Sequence, residues 1–181
     1  MKTISMTLSH KSVKQACKEL LKYKKNLIKK CEVFVRKLGA HGISVAQANV
    51  GGFGKYITFT LEVDKEQYGV KAVMAATNTG LIHSEWRQAD GSVATADVSP
   101  ILMAEFGAGL LANNPRADEF GYGTGTFPGQ THAEDPDGWW YMDLDGRWHH
   151  SYGVAPGMPM YKASLVMSVL LDTVAKEVFR N

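Results

Sequence analysis

Several things are scarce in this chain. There are only two cysteines in 181 residues, Cys17 and Cys31. They fall fourteen positions apart in one expected helix, which would separate them by about 21 Å, so they cannot bridge to each other. Unpaired thiols on a helix suit a reducing compartment. Prolines number six, too few for a stiff linker between domains. No apolar run is long enough for a membrane span, and "MKTISMTLSHKS" lacks the apolar core of a signal peptide. Synthesis in the cytoplasm is expected. The net charge is only +2, so no overall field points to nucleic acid. What remains is an ordinary globular composition, 45% hydrophobic and 21% charged, with glycine abundant at 18. With no linker and no internal repeat, residues 1–181 read as one domain.

The pattern predicts an N-terminal helical segment over 11–50. Val13, Leu20, Leu27 and Phe34 recur every seven residues, with Ala16, Cys17, Tyr23, Cys31 and Leu38 between them. Ser9 or Ser12 would cap its start. Gly39 reads as an interruption with a turn or two of helix beyond it. The polar face is basic: Lys14, Lys18, Lys22, Lys25, Lys29, Lys30, Arg36 and Lys37 against Glu19 and Glu32. Such a face is either solvated or laid against an anion, DNA or an acidic partner.

Residues 56–107 read as an antiparallel sheet. "YITFTLEV" alternates Ile57, Phe59, Leu61 and Val63 with Thr58, Thr60 and Glu62. "YGVKAVMAAT" follows the break "DKEQ" as its partner, and two weaker strands flank the Asp90–Gly91 turn. "ILMAEFGAG" enters the same zone as an apolar run in which the Glu105 carboxylate requires a partner. Residues 108–157 read as a long loop carrying an aromatic β-hairpin around Asp145–Gly146, and the stretch 113–138 is expected to be mobile. Residues 158–180 form a C-terminal helix. Pro159 is its start signal. Met158, Met160 and Tyr161 cluster at the helix entrance, as a hydrophobic staple or as a docking surface. Leu165 and Val169 do not share one face with Val166, Leu170, Val174 and Val178, so the apolar arc is wide, as for a core helix or a subunit contact. The fold class is α+β.

Chemistry is sparse. "GYGTGTFPG" lacks the Gly-Lys-Ser/Thr ending of a phosphate loop. Asp135, Asp137, Asp143 and Asp145 give only halves of a calcium loop. His132, His149 and His150 are potential metal ligands, but adjacent His149 and His150 on a strand face opposite sides. Neither cysteine has a plausible base beside it, and no serine stands in a nucleophile elbow. No catalytic, cofactor-binding or metal-binding residue is assigned. The readings that compete with a purely structural role are a DNA-binding module using the basic helix and, more remotely, a metal-dependent hydrolase.

Three stretches carry a family resemblance. "MAEFGAG" at 103–109, "PGMPMYKA" at 156–163 and the opening helix "KELLKYKKNLIKKCEVFVRKLGAHGISVAQANV" resemble the neck and tail-completion (head–tail joining) proteins of long-tailed double-stranded DNA bacteriophages, the lambdoid "gene product ten"-like group. "GWWYMDLDGRWHHSYG" is similar to a hairpin insertion in a prophage subgroup. Shorter relatives pass from the Glu-Phe-Gly motif to the last helix by a brief loop, whereas some fifty residues intervene here. The resemblance implies a virion structural protein and not an enzyme, with no cofactor. It implies assembly as a homo-oligomeric ring at the head–tail junction. The neighbours would be head-closure or connector proteins and tail-tube or tail-terminator proteins, with weak contact to DNA in the lumen and no membrane. It also implies a structural corner. Glu105 would accept backbone N–H bonds, Phe106 would enter the core, and Gly107 and Gly109 would permit positive φ or close approach. Met158, Pro159, Met160 and Tyr161 would set the direction of the last helix and present the methionines to a neighbour.

Overall fold

A computed structural model describes residues 4–87, 90–109, 111 and 137–180. The expected mobile loop at 113–138, with His132, Asp135 and the glycine-rich "GYGTGTFPG", lies outside these residues apart from its last two positions.

Helix α1 spans His10–Asn49, capped by Ser9, whose side chain accepts from the Ser12 amide. Gly39 does not interrupt it. Gly39 and Gly42 are buried inside the helix. A Cβ on Gly39 would stand 2.5 Å from the Leu61 side chain, and one on Gly42 would stand 2.7 Å from the Met167 sulfur. Glycine in a helix costs about 1 kcal/mol relative to alanine. Here the missing side chains let a strand and a second helix come close.

Strands β1, Ile57–Glu66, and β2, Gly69–Asn78, pair antiparallel over their full lengths. The expected break "DKEQ" is mostly strand, and only Gln67 and Tyr68 make the turn. This ribbon is a sheet of its own. Strands β3, Ile82–Arg87, and β4, Val93–Val98, pair as the sequence implies. A second sheet has the order β4-β3-β6-β7, where β6 is Trp139–Met142 and β7 is Trp148–Ser151. The aromatic hairpin is therefore an integral part of a four-stranded sheet. Its turn is also longer than two residues. The Asp143 amide donates to the Arg147 carbonyl and the Gly146 amide to the Asp143 carbonyl, with Gly146 at φ 75°. That is a three-residue connection closed by a glycine in left-handed geometry.

"ILMAEF" is helical, which corrects the reading of 56–107 as sheet throughout. Helix α2 spans Pro100–Phe106, with Ser99 as N-cap accepting from the Leu102 amide and Pro100 in its first turn. Gly107, at φ 75°, ends it. The cause is local: Ser-Pro starts a helix, Leu, Met, Ala and Glu sustain one, and glycine stops it. Short strands β5, Ala108–Gly109, and β8, Gly153–Val154, pair beyond it. Helix α3 spans Pro159–Phe179.

The core lies where α2, the 3-10 turn Gly51–Phe53 and the starts of β1, β3 and β6 meet. Val50, Tyr56, Ile57, Ile82, Met103, Ala104, Ala108 and Trp139 are buried in it. Phe106 is half-buried and packs against the cluster from its margin. Helix α3 runs antiparallel to the C-terminal half of α1. Lys162 donates to Asn49 at 2.9 Å, Met167 meets Gly42, Lys37 pairs with Glu177, and the rings of Phe34 and Phe179 lie 5.9 Å apart.

Candidate functional site: a corner that aims the last helix

Proline at the head of α3 leaves a capping problem. The N-cap residue, Met158, has φ 51° and ψ 48° and makes no side-chain cap bond. A non-glycine residue in this left-handed region costs about 1–3 kcal/mol. It must be held there by its surroundings. The amides of a helix's first turn also need acceptors. Pro159 has no N–H. The Met160 amide donates to Glu105 Oε2 at 2.9 Å, and the Tyr161 amide donates to Glu105 Oε1 at 3.1 Å. The Lys162 amide donates to the Met158 carbonyl at 2.9 Å, beginning the helix's own ladder. One carboxylate, 55 residues upstream on α2, thus replaces the missing cap. Its charge also lies at the positive end of the α3 dipole.

The approach to the helix is fixed in the same way. The Gly157 and Met158 amides both donate to the Ala104 carbonyl, at 2.8 and 3.1 Å. Gly157 passes so close to the end of α1 that a Cβ on it would stand 2.1 Å from the Asn49 carbonyl oxygen. Gly107 has positive φ, and its Cβ would meet the Val154 carbonyl oxygen at 2.6 Å. Gly109, at φ 62°, faces the Trp139 ring. All eight residues singled out in the sequence, Glu105, Phe106, Gly107, Gly109, Met158, Pro159, Met160 and Tyr161, belong to this junction of α2, the β5–β8 pair and the start of α3. Pro159 is buried, and Met158, Met160 and Tyr161 are half-buried. Sequence reasoning missed two further members, Gly157 and the Ala104 carbonyl. The Gly-Met-Pro order in "PGMPMY" was the available signal for the first.

A cleft of about 350 Å³ lies between the Gly51–Phe53 turn and the aromatic hairpin. Its walls include Lys55, Tyr56, Trp139, Tyr141, Asp143 and His149. His149 Nε2 lies 3.0 Å from Asp143 Oδ2, and the His149 ring stacks on Tyr141 at 5.3 Å. His150 lies against Trp140 and Tyr152, so the two histidines do point to opposite faces. The strand pairs set Trp139, Trp140 and Tyr141 opposite Ser151, His150 and His149, and Trp148 opposite Met142, so no tryptophan or tyrosine faces another. Asp143 resembles a catalytic carboxylate only at first sight. Its Oδ1 accepts from the Asp145 and Arg147 amides, both at 2.9 Å. These bonds hold the hairpin turn. Ser151 Oγ accepts from the Gly153 amide, so it too serves its own strand end. Among the described residues no three His, Cys, Asp or Glu side chains converge to hold a metal ion.

The Asp143 bonds have a measurable signature. The Arg147 amide, then His149, hold its carboxyl below the ordinary 3.8, at about 2. A carboxyl depressed by folding contributes stability that is complete above its unfolded value and is lost as pH falls through the folded one. The hairpin is therefore expected to loosen between about pH 4 and pH 2. Hydrogen exchange at the Asp145 and Arg147 amides would report it. Asp143→Asn should remove that pH dependence; an unchanged profile in this variant would refute the assignment.

No described helix is long and apolar enough to cross a membrane. No known family matches the chain, and neither does any curated protein or solved structure.

Proposed function

We propose that this protein is a structural subunit of a tailed-bacteriophage particle that joins head to tail by assembling with copies of itself into a ring. The family reading comes from the resemblance of the Glu105–Phe106–Gly107 and Pro156–Met160 motifs. The observation that best supports an assembly role is the length of α1. Its 40 residues extend about 60 Å, whereas the 21 residues of α3 reach about 31 Å. Helix α3 and the β1–β2 ribbon cover the C-terminal part of the α1 stripe. Further along the same stripe Ala16 is buried, but Leu27, Leu20 and Val13 are exposed. A lone helix of this kind gains little stability from propensity alone, and apolar side chains on it favour a partner.

In this reading the protein has no enzymatic activity. Its neighbours in the virion are the connector or head-closure ring on one side and the tail tube or tail terminator on the other, and contact with passing DNA is weak. Native mass spectrometry of the purified chain is expected to show a closed oligomer. Phage carrying a deletion of the gene are expected to accumulate filled heads beside unattached tails. Normal joining without the gene would refute the reading. Tight duplex-DNA binding by the monomer that weakens steeply with salt, and that is lost on replacing Lys22, Lys25 and Lys29, would instead favour the DNA-binding role of the basic helix.

A further inference from the structure

Two helix faces leave large apolar side chains exposed. One is the overhanging part of α1. From Cys17 to Leu27 every residue but Glu19 is exposed, and Leu20, Leu21, Tyr23 and Leu27 show 40–68% of their surface to solvent. The other is the outer side of α3. There Leu165 and Val169 are exposed, Val169 by 78%, while Leu171 is exposed on the flank of the helix. This explains the wide apolar arc of α3: one part covers α1, and the other part points outward.

Charge decides how these surfaces can meet. Between His10 and Lys30 there are eight lysines against the single Glu19. The whole chain carries only +2, so everything outside this segment is net negative. Two overhangs packed on each other would bring sixteen lysines together, which disfavours a symmetric α1–α1 contact. The outer face of the ribbon, with Thr58, Thr60, Glu62 and Asp64, is polar and suited to water. The outer face of α3 differs. Its exposed residues between Ser164 and Thr173 are Ser164, Leu165, Ser168, Val169, Leu171, Asp172 and Thr173, with one acid and no base.

We infer that the overhang of α1 in one copy docks on the outer face of α3 in the next copy. The apolar row Val13, Cys17, Leu20 and Leu27 lies over Leu165 and Val169, one turn apart on α3, and the flanking lysines lie beside Asp172. This is a contact between two different faces, so it propagates from copy to copy and closes when the rotation allows. It also gives the Glu105 corner its purpose, because the direction in which α3 leaves that corner sets the angle between neighbouring copies. The inference rests on the ring reading above and names the surfaces that make the ring.

Cross-linking of the full-length chain tests it. Cys17 is exposed on the overhang and Cys31 is partly covered. A Cys31→Ser, Val169→Cys variant places one thiol on each proposed surface. Both substitutions avoid the core, so the melting temperature should match that of the parent. On oxidation or with a short bis-maleimide, denaturing gels are expected to show a ladder of covalent multimers extending past the dimer. Adding Cys17→Ser should abolish the ladder, and Cys31→Ser alone should give none. Rings seen by native mass spectrometry with no ladder in the same sample would overturn the docking while leaving the ring reading intact. A chain that is monomeric throughout, or that cross-links only as a Cys17–Cys17 dimer, would overturn it too. The head–tail role is judged separately, by whether deletion phage join heads to tails.

Discussion

Glu105→Ala is expected to destabilise the protein by about 3 kcal/mol, since a hydrogen bond to a charged group contributes about 1.5–3 kcal/mol and a buried N–H left unpaired costs a similar amount. Glu105 is 9% exposed, and its two oxygens receive the Met160 and Tyr161 amides. Truncation leaves both donors without their acceptor, in a half-buried helix end that has no cap of its own. Glu105→Gln keeps one carbonyl oxygen and loses the charge at the helix terminus, so its cost should be about half as large. Urea denaturation followed by circular dichroism measures both. An alanine variant within about 0.5 kcal/mol of the parent would show that water replaces the carboxylate at no cost. The same variants should lower ring formation more than their stability loss accounts for, because α3 would leave the corner at a variable angle.

Gly157→Ala should be at least as damaging, by about 3–4 kcal/mol, near the upper end of what overpacking costs. The added methyl would stand 2.1 Å from the Asn49 carbonyl oxygen and 3.3 Å from that of Ala104. Both are backbone atoms at the ends of helices, so neither can turn aside as a side chain would. Relief requires moving the chain that carries Met158 and Pro159, and with it the start of α3. Gly52→Ala is the matched control. Nothing lies within 4 Å of its Cβ position, and its φ is not positive. It is expected to change stability by no more than about 0.5 kcal/mol. Equal melting temperatures for the two alanine variants would mean that the α1–α3 approach is loose.

The corner and the α1 surface were legible to different degrees. The residues of the corner stood out in the sequence: a lone carboxylate in an apolar run, glycines after it, and proline between two methionines. Their meeting did not, because Glu105 and Met160 are 55 residues apart and no local pattern ties them. The stripe on α1 was legible as a period of seven. Where it would be covered and where left bare depended on the lengths of α3 and the ribbon against it. Helix α2 shows a further kind of limit. A seven-residue run that is apolar apart from Glu105 suits a strand or a helix equally by periodicity, and only the Ser99–Pro100 start, the helix-forming residues and the stop at Gly107 distinguish them.

What the amino-acid order determined by itself was local. It set the long amphipathic helix, the alternating strands, the Asp-Gly turns and a last helix starting at Pro159, because each follows from the conformational preferences of residues two to four positions apart. The tertiary structure decided the rest. It made Gly39 and Gly42 points of close contact instead of breaks, joined the aromatic hairpin to β3, and gave Asp143 to a turn. It also brought Glu105 to a helix that has no cap of its own. Those outcomes turn on which surfaces come within a few ångströms of each other. Sterics and burial of the whole chain settle that, and nearest neighbours along the chain do not.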